Sequence, residues 1–310
     1  MKINIQEIKS INEAEEYIRD FLINQRKISD EEKIKEAIQS LQNRIQEKKS
    51  HVLIAKESDN IIGHISGRDA GKVYEVNSFF IKDEHCKNDI GYELIKAMTS
   101  KAFELGFEHY RHGNSLPFNK ESTFEENLKK DGYLLFTRYE MVKELTSEDD
   151  FSYVMPEGYS FEPFSLEKVD EIMQVMVDAN PEGHTDNHIY PEMRDVEATK
   201  KVFGSFSDNF KAFDPAINPQ IVINGKIIGM SCIFVPVENY AFVAEVSIVP
   251  EHQRKGLGKA LMNEIMQACF DKGYNKLGLA VTKDNTGAYK LYQKLGYTEV
   301  KEYLVVIKHK

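Results

Sequence analysis

Arg254, Lys255, Gly256, Gly258 and Lys259 crowd into one short turn, Val249-Pro-Glu-His-Gln-Arg-Lys-Gly-Leu-Gly-Lys-Ala260. The stretch before it, Ala241 to Val249, is rich in Val, Ala and Ile and reads as a strand. The stretch after it, Gly258 to Lys272, reads as a helix. Glycines let a backbone turn tightly and come close to a ligand. The first N–H groups of a helix have no partner within it and point outward. With Arg254, Lys255 and Lys259 at that same end, the turn is suited to receive a phosphate or pyrophosphate. Its spacing is neither G-x-x-x-x-G-K-[ST] nor G-x-G-x-x-G, so the two common nucleotide loops are excluded.

A second block follows the apolar strand Lys276 to Val281: Asn285-Thr-Gly-Ala-Tyr-Lys-Leu-Tyr-Gln-Lys-Leu-Gly-Tyr297. The first block resembles the coenzyme A pyrophosphate loop of the Gcn5-related N-acetyltransferases (GNAT), Q/R-x-x-G-x-G/A. The second resembles the same family's N-x-x-A-x-x-x-Y-x-x-x-G-[FY] helix, at the right separation. The resemblance covers roughly Ile221 to Lys310. It implies acyl transfer from acetyl-CoA to an amine by direct attack on the thioester. In its terms Gln253, Arg254, Lys255, Gly256, Leu257, Gly258, Lys259 and Ala260 hold the pyrophosphate through main-chain N–H groups. Val246 and Ile248 pair their backbone with the pantetheine arm, and an N–H near Val246 polarises the thioester oxygen. The family's strand carries a bulge and splays from its neighbour to open the cofactor slot. Asn285 caps its helix or touches the cofactor, and Tyr292 protonates the departing thiolate.

The general base is less defined. Many relatives have a glutamate early on this strand, where the present chain has Phe242. Glu245 is the nearest carboxylate, with a solvent-facing role or a water chain as alternatives. The acceptor pocket is expected from the loop Asn180-Pro-Glu-Gly-His-Thr-Asp-Asn-His-Ile-Tyr-Pro191. His184, Asp186 and His188 in that loop suit no particular metal geometry, so no metal is expected. A non-catalytic acyl-CoA-binding regulatory module is the alternative function; it would keep the loop and Asn285 without productive proton transfer.

The elements that must position these residues occur twice. Ile81 to Gly91 lies against Ile248 to Gly258, each with Glu-His, a basic residue and an aliphatic-Gly step. Glu121 to Tyr133 lies against Asn285 to Tyr297, each ending in Gly-Tyr. Hairpins read at Val52 to Arg68, around Ser58-Asp-Asn60, and at Gln220 to Val235, around Asn224-Gly225, the strongest short hairpin cue. Helices read at Ile11 to Ile23 and Ser29 to Lys49, the latter with a Ser29/Glu32 capping box, and at Leu166 to Asp178 and Glu192 to Phe206. Each half thus reads β-α-α-β-β-β-α-β-α-β. The expected fold is α/β (α+β), two tandem GNAT-like domains, each a mixed, mostly antiparallel central sheet flanked by helices. Tandem members such as mycothiol synthases share this plan. The expected domains are 1–145 and 159–310, with a linker at 146–158 rich in charge, Pro and Gly.

The first copy departs from the motifs. Asp89 stands for Gly256, Cys86 for Gln253, Lys87 for Arg254, Glu121 for Asn285 and Leu128 for Tyr292. A carboxylate beside pyrophosphate repels it, and leucine has no proton to give. The first half is therefore expected to be structural or acceptor-shaping. The 310 residues suit two domains, with 41% hydrophobic and 29% charged residues and a net charge of −10. That acidity disfavours nucleic acid and mildly favours a cationic, amine-bearing acceptor of small size. No apolar run fits a membrane span or secretory signal, and Cys86, Cys232 and Cys269 form no disulfide framework. The expectation is a cytoplasmic protein, monomeric or homodimeric.

Overall fold

The computed structural model describes residues 3–85, 89–116, 123–181, 183–205 and 214–310. Two compact units emerge, one of residues 1–135 with 303–310, the other of residues 136–302.

Unit 1 begins with β1 (Ile3–Glu7), α1 (Glu15–Asn24) and α2 (Glu31–Gln46). There follow β2 (Ser50–Glu57), β3 (Asn60–Ala70), β4 (Val73–Ile81), α3 (Ile90–Glu104), β5 (His109–Leu116), α4 (Phe124–Lys130) and β6 (Leu134–Glu144). Neighbouring strands from β1 to β4 are antiparallel. β4 and β5 run parallel, the crossover being α3. Unit 2 repeats the plan: β7 (Tyr159–Pro163), α5 (Val169–Ala179), α6 (Thr185–Ile189), α7 (Val196–Ser205), β8 (Pro219–Ile223) and β9 (Lys226–Val237). It continues with β10 (Tyr240–Ile248), α8 (Leu257–Asp271), β11 (Lys276–Thr282), α9 (Thr286–Lys294) and β12 (Thr298–His309). Here too the one parallel pair among the described ladders is β10 with β11. Both units are thus mixed, mostly antiparallel sheets flanked by helices, as the repeat requires.

Local signals place most ends. Asn224 and Gly225 both take positive φ, 50° and 76°, the geometry a two-residue hairpin turn demands. Sequence and structure differ at the caps. Asp30, not Ser29, caps α2, its carboxylate accepting from the N–H groups of Glu32 and Lys33. The capping box forms instead at Ser10 and Glu13, around a short 3-10 turn that precedes α1. The difference is one of competition: an aspartate next to a serine is the better charged acceptor for a helix start.

The compact units do not follow the linear halves. Residues 136–144 of β6 lie in unit 2, pairing antiparallel with β11 from Lys276↔Glu144 to Thr282↔Arg138. Residues 303–310 lie in unit 1, where β12 pairs with β5 from Leu304↔Leu116 to His309↔His109. Each exchanged strand carries core residues: Met141 is fully buried in the unit 2 core, Val306 in the unit 1 core. Each half of the chain therefore gives the other half's unit its outermost strand. No helix among the described residues is long and apolar enough to cross a membrane.

Cutting the chain between residues 146 and 158 should leave the two pieces associated, and neither piece should fold alone. An engineered protease site there, followed by size exclusion, tests this; separation into two folded pieces would refute the exchange. A second expectation concerns acid. Burial pushes His64 and His112 of unit 1 down to about 3 from an ordinary 6.5. The unfolded chain takes up these protons near 6.5 while the folded unit refuses them. The neutral imidazoles' contribution is complete above about 6.5 and is lost as pH falls toward 3, at about 1.4 kcal/mol per pH unit for each. Urea unfolding followed between pH 6.5 and 4.5 should show this slope, and His64→Gln should reduce the proton uptake by about one. An unchanged uptake would mean His64 is not buried neutral.

Candidate active site

The site of unit 2 starts from one irregularity in β10. Its register with β9 shifts between Val243 and Glu245, so Ala244 is an extra residue with no opposite number. Such a bulge bends its strand and re-aims the side chains after it. The parallel ladder with β11 runs only from Tyr240↔Lys276 to Val243↔Leu279. Beyond Val243 the β10–β11 ladder ends, so around Val246 the β10 main chain has no partner strand on that side among the described ladders. On its other side this segment stays in register, Val246↔Ser231 and Ile248↔Gly229.

At the end of β10 the chain makes the basic turn. Arg254 and Gly256 take left-handed backbone, φ 63° and 85°. Gly256 caps α8 and has no side chain to bond the helix start. The first bond back to the cap is from the Ala260 N–H, at 3.1 Å. The N–H groups of Leu257, Gly258 and Lys259 are then left for an anion. Leu257 and Ala260 are themselves buried, so their part is main-chain only. Arg254, Lys255 and Lys259 are exposed around the turn. Gln253 braces rather than binds: its amide donates to the Ile248 carbonyl at 2.8 Å. Lys255 Nζ donates to the Tyr159 hydroxyl at 3.2 Å. The residues fit a pyrophosphate-bearing ligand on this helix end.

Glu245 lies just past the bulge. Burial pushes its carboxyl up to about 7; the Ser247 hydroxyl donates to it and opposes the rise. Asp186 pushes it further up, and Arg138 pulls it down. Tyr292, on α9, is held protonated by burial first and by the charges of Glu245 and Asp186 next. Its ring packs on Tyr297, centroids 5.8 Å apart. Asn285 caps α9, Oδ1 accepting from the Ala288 N–H at 3.2 Å. The structure thus brings Glu245 and Tyr292 within electrostatic reach of each other.

Two members were not singled out as site residues from the sequence. The loop at 180–191 contains the short helix α6, capped by His184, whose Nδ1 accepts from the Asp186 N–H. The Asp186 carboxylate accepts from the hydroxyl of Thr282, on β11, at 3.1 Å. Arg138, on β6, donates to the Tyr190 hydroxyl and, at 3.2 Å, to the Ala280 carbonyl. His188 stacks on Phe136 of the same strand, 6.2 Å between centroids. A cleft of about 860 Å³ opens beside this loop, between Asn180, Asn187, Arg194, Lys226 and Val249 to His252. Glu245 and Tyr292 are not among the residues that line it.

Unit 1 keeps the frame and fills it. Its β4 carries the matching bulge at Asn77, and its parallel ladder with β5 likewise stops at Val76↔His112. Phe79 stands where unit 2 has Val246, edge-on to His112 with centroids 5.0 Å apart. Phe124 stands where unit 2 has Ala288, and a Cβ on Gly91 would touch both rings at 3.3 Å. Asp89 caps α3 with ordinary φ, −69°, so the left-handed turn of Gly256 has no counterpart. Leu128 is fully buried. Cys86, Lys87 and Glu121 lie outside the described residues.

The chain has relatives. A model of the "Acetyltransferase (GNAT) family" matches residues 184–297, and one of the "Acetyltransferase (GNAT) domain" matches residues 18–113. The [Ribosomal protein bS18]-alanine N-acetyltransferase of Escherichia coli (strain K12) is 31% identical over 83 residues, 27% of this chain. That match spans 55% of the relative's length. The mycothiol acetyltransferase of Pseudarthrobacter chlorophenolicus is 26% identical over 212 residues, covering 66% of this chain and 61% of the relative. Among solved structures, a GCN5-related N-acetyltransferase from Sphaerobacter thermophilus covers 99% of this chain and 95% of its own, with TM-score 0.65 and 14% identity. A tandem GNAT protein from the clavulanic acid biosynthesis pathway covers 84% and 82%, with TM-score 0.52 and 12% identity. At these identities the structures speak for the fold.

Gly256→Asp should weaken coenzyme A binding at least tenfold while the protein stays folded. A Cβ there meets nothing within 4 Å, so there is room, and the harm is charge and backbone. Gly256→Ala carries a similar backbone penalty, about 1–2 kcal/mol, without the charge. Calorimetry on the full chain should show the alanine variant binding more tightly than the aspartate one; equal, unchanged affinities would remove the turn as the phosphate site.

Proposed function

From a chain that belongs to the GNAT family of acetyltransferases, with two such domains in tandem, we propose that unit 2 moves an acetyl group from acetyl-CoA to an amine by direct attack. Unit 1 is its non-catalytic copy. What carries this reading is the combination in unit 2 of the bulge at Ala244, the start of α8 at Gly256 without a side-chain cap, and the electrostatic coupling of Glu245 with Tyr292.

The N–H groups of Leu257, Gly258 and Lys259 receive the pyrophosphate of acetyl-CoA. The β10 main chain from Val246 to Ile248 lines its pantetheine arm as an added strand would. Because the Gln253 amide already takes the Ile248 carbonyl, the pairing falls mainly on Val246. The Val246 N–H donates to the thioester oxygen, where negative charge grows as the amine attacks. Glu245 accepts a proton from the acceptor's ammonium, and a carboxyl near 7 is matched to that task at neutral pH. Tyr292 gives its proton to the leaving sulfur, so that a thiol and not a thiolate departs. As the tetrahedral adduct collapses the nitrogen loses its second proton, which through solvent restores Tyr292, and Glu245 releases its own proton to bulk water. Glu245 and Asp186 make the acceptor side acidic, which suits a small cationic amine.

Unit 1 cannot offer the same slot. Phe79, Phe124 and His112 occupy it, and Asp89 sets the wrong charge and backbone at the phosphate end. Its two retained features, the bulge and the parting strands, are then structural. A pure acyl-CoA-binding module remains the contrasting reading, and turnover separates the two.

Tyr292→Phe removes one hydroxyl and leaves the ring on Tyr297. kcat should fall by about 10²–10⁴ with acetyl-CoA affinity nearly unchanged. The loss should shrink with an acyl donor whose thiol is more acidic, because that thiolate needs less help to leave. Thiol release scored across a panel of amines is the assay. Full turnover by the variant would exclude Tyr292 as the acid, and no turnover by the parent with any amine would favour the module.

A further inference from the structure

The exchanged strand β6 brings more than backbone to unit 2. Arg138 is the residue on it that pairs with Thr282 in the β6–β11 ladder. Thr282 is also the residue whose hydroxyl holds Asp186 at 3.1 Å. The Arg138 guanidinium spans two elements: it bonds the Ala280 carbonyl of β11 at 3.2 Å and the Tyr190 hydroxyl just past α6. Its carbon also sits 5.5 Å from the centre of the Tyr190 ring, a stacking that favours a guanidinium over an ammonium. The loop carrying α6 is therefore tied to β11 at both ends, by Asp186 at one and Tyr190 at the other. Phe136, two residues earlier on β6, stacks under His188 in the middle.

We propose that Arg138, supplied by the first half of the chain, is the positioning residue of the unit 2 site: it clamps the acceptor loop to β11 and sets the charge balance between Asp186 and Glu245. The proposal rests on the reading of Glu245 as the base. The groups facing that carboxyl are Ser247 on its own strand, Cys232 opposite it on β9, Asp186 on α6, Arg138 on β6 and Tyr292 on α9. Of these, Asp186 and Arg138 act on the base in opposite senses, Asp186 raising it and Arg138 lowering it. A loop that swung away would take Asp186 with it and leave Arg138 alone beside the base. The clamp thus fixes geometry and basicity together, and the catalytic half depends on a side chain from the non-catalytic half.

The test is a titration of the Glu245 carboxyl by side-chain 13C NMR in the full chain, assigned with Glu245→Gln. Arg138→Gln should move its midpoint up by about 0.5–1 pH unit, and Asp186→Asn should move it down by a similar amount. Arg138→Lys keeps the charge and loses the fork; it should restore the midpoint but not the loop. In turnover with an amine active in the acceptor panel, Arg138→Lys should raise acceptor KM roughly tenfold at near-parental acetyl-CoA affinity. A purely structural arginine would lower stability in all three variants without opposing shifts in the midpoint. Midpoints for Arg138→Gln and Asp186→Asn that both stay at the parent value overturn the proposal. If Arg138→Gln does not fold, the Asp186→Asn and Arg138→Lys results decide alone. If no amine turns over, the transferase reading fails, while the titration still judges the charge balance.

Discussion

One extra residue in one strand governs this molecule. With Ala244 inserted, β10 cannot stay paired with β11, and two parallel strands part where an ordinary sheet would close. The proposed chemistry rests on that parting. Main-chain groups of β10 beyond Val243 lack a β11 partner among the described ladders. Glu245 follows the bulge, and burial pushes its carboxyl up to about 7, which is what the proposed base requires. The strand is followed by a helix whose N-cap is a left-handed glycine with no side chain to bond the helix start. Unit 1 shows the same constraint met differently. Its bulge at Asn77 parts β4 from β5, and aromatic rings fill the opening. In unit 1 the rings of Phe79 and His112 pack beside that parting, and the proposed ligand would take the corresponding place in unit 2.

The second organising fact is the exchange of strands. It places Arg138 against β11 and Val306 in the core of unit 1. Two copies of a fold in one chain could have been independent. Here each is incomplete without a segment from the other half, and the loop over the site is tied to one of those segments. The first half of the chain thus supplies a strand that the second half's unit needs.

Much of this was legible in the sequence because it is local. Asn224-Gly225 demands a tight hairpin, and the glycine spacing from Gly256 to Gly258 marks a tight turn into a helix start, which the structure has. The repeat located the elements of unit 1 by comparison with unit 2. What was not legible is non-local. Nothing near Arg138 in sequence announces that it pairs with Thr282, since the pairing joins segments far apart in the chain. Asp186 and His188 looked like a loop cluster because their partners, Thr282 and Phe136, lie on distant strands. The role of Glu245 was ambiguous because a bulge breaks the alternation by which a strand residue is assigned to a face. At α2 the cap shifted by one residue because Asp30 and Ser29 are both good caps, and only geometry chooses between them.

The exchange also imposes a timetable on synthesis. Domains usually fold in the order in which they are made. Unit 2 has its full complement once residue 302 has been made, since β6 precedes it in the chain. Unit 1 is begun first yet lacks residues 303–310 until all of unit 2 has emerged. Throughout that interval β5 presents an unpaired edge to its surroundings, the condition under which nascent sheets seek other strands. The polypeptide therefore completes its second fold before its first, and the older unit must wait, open on one side, for the younger one to finish.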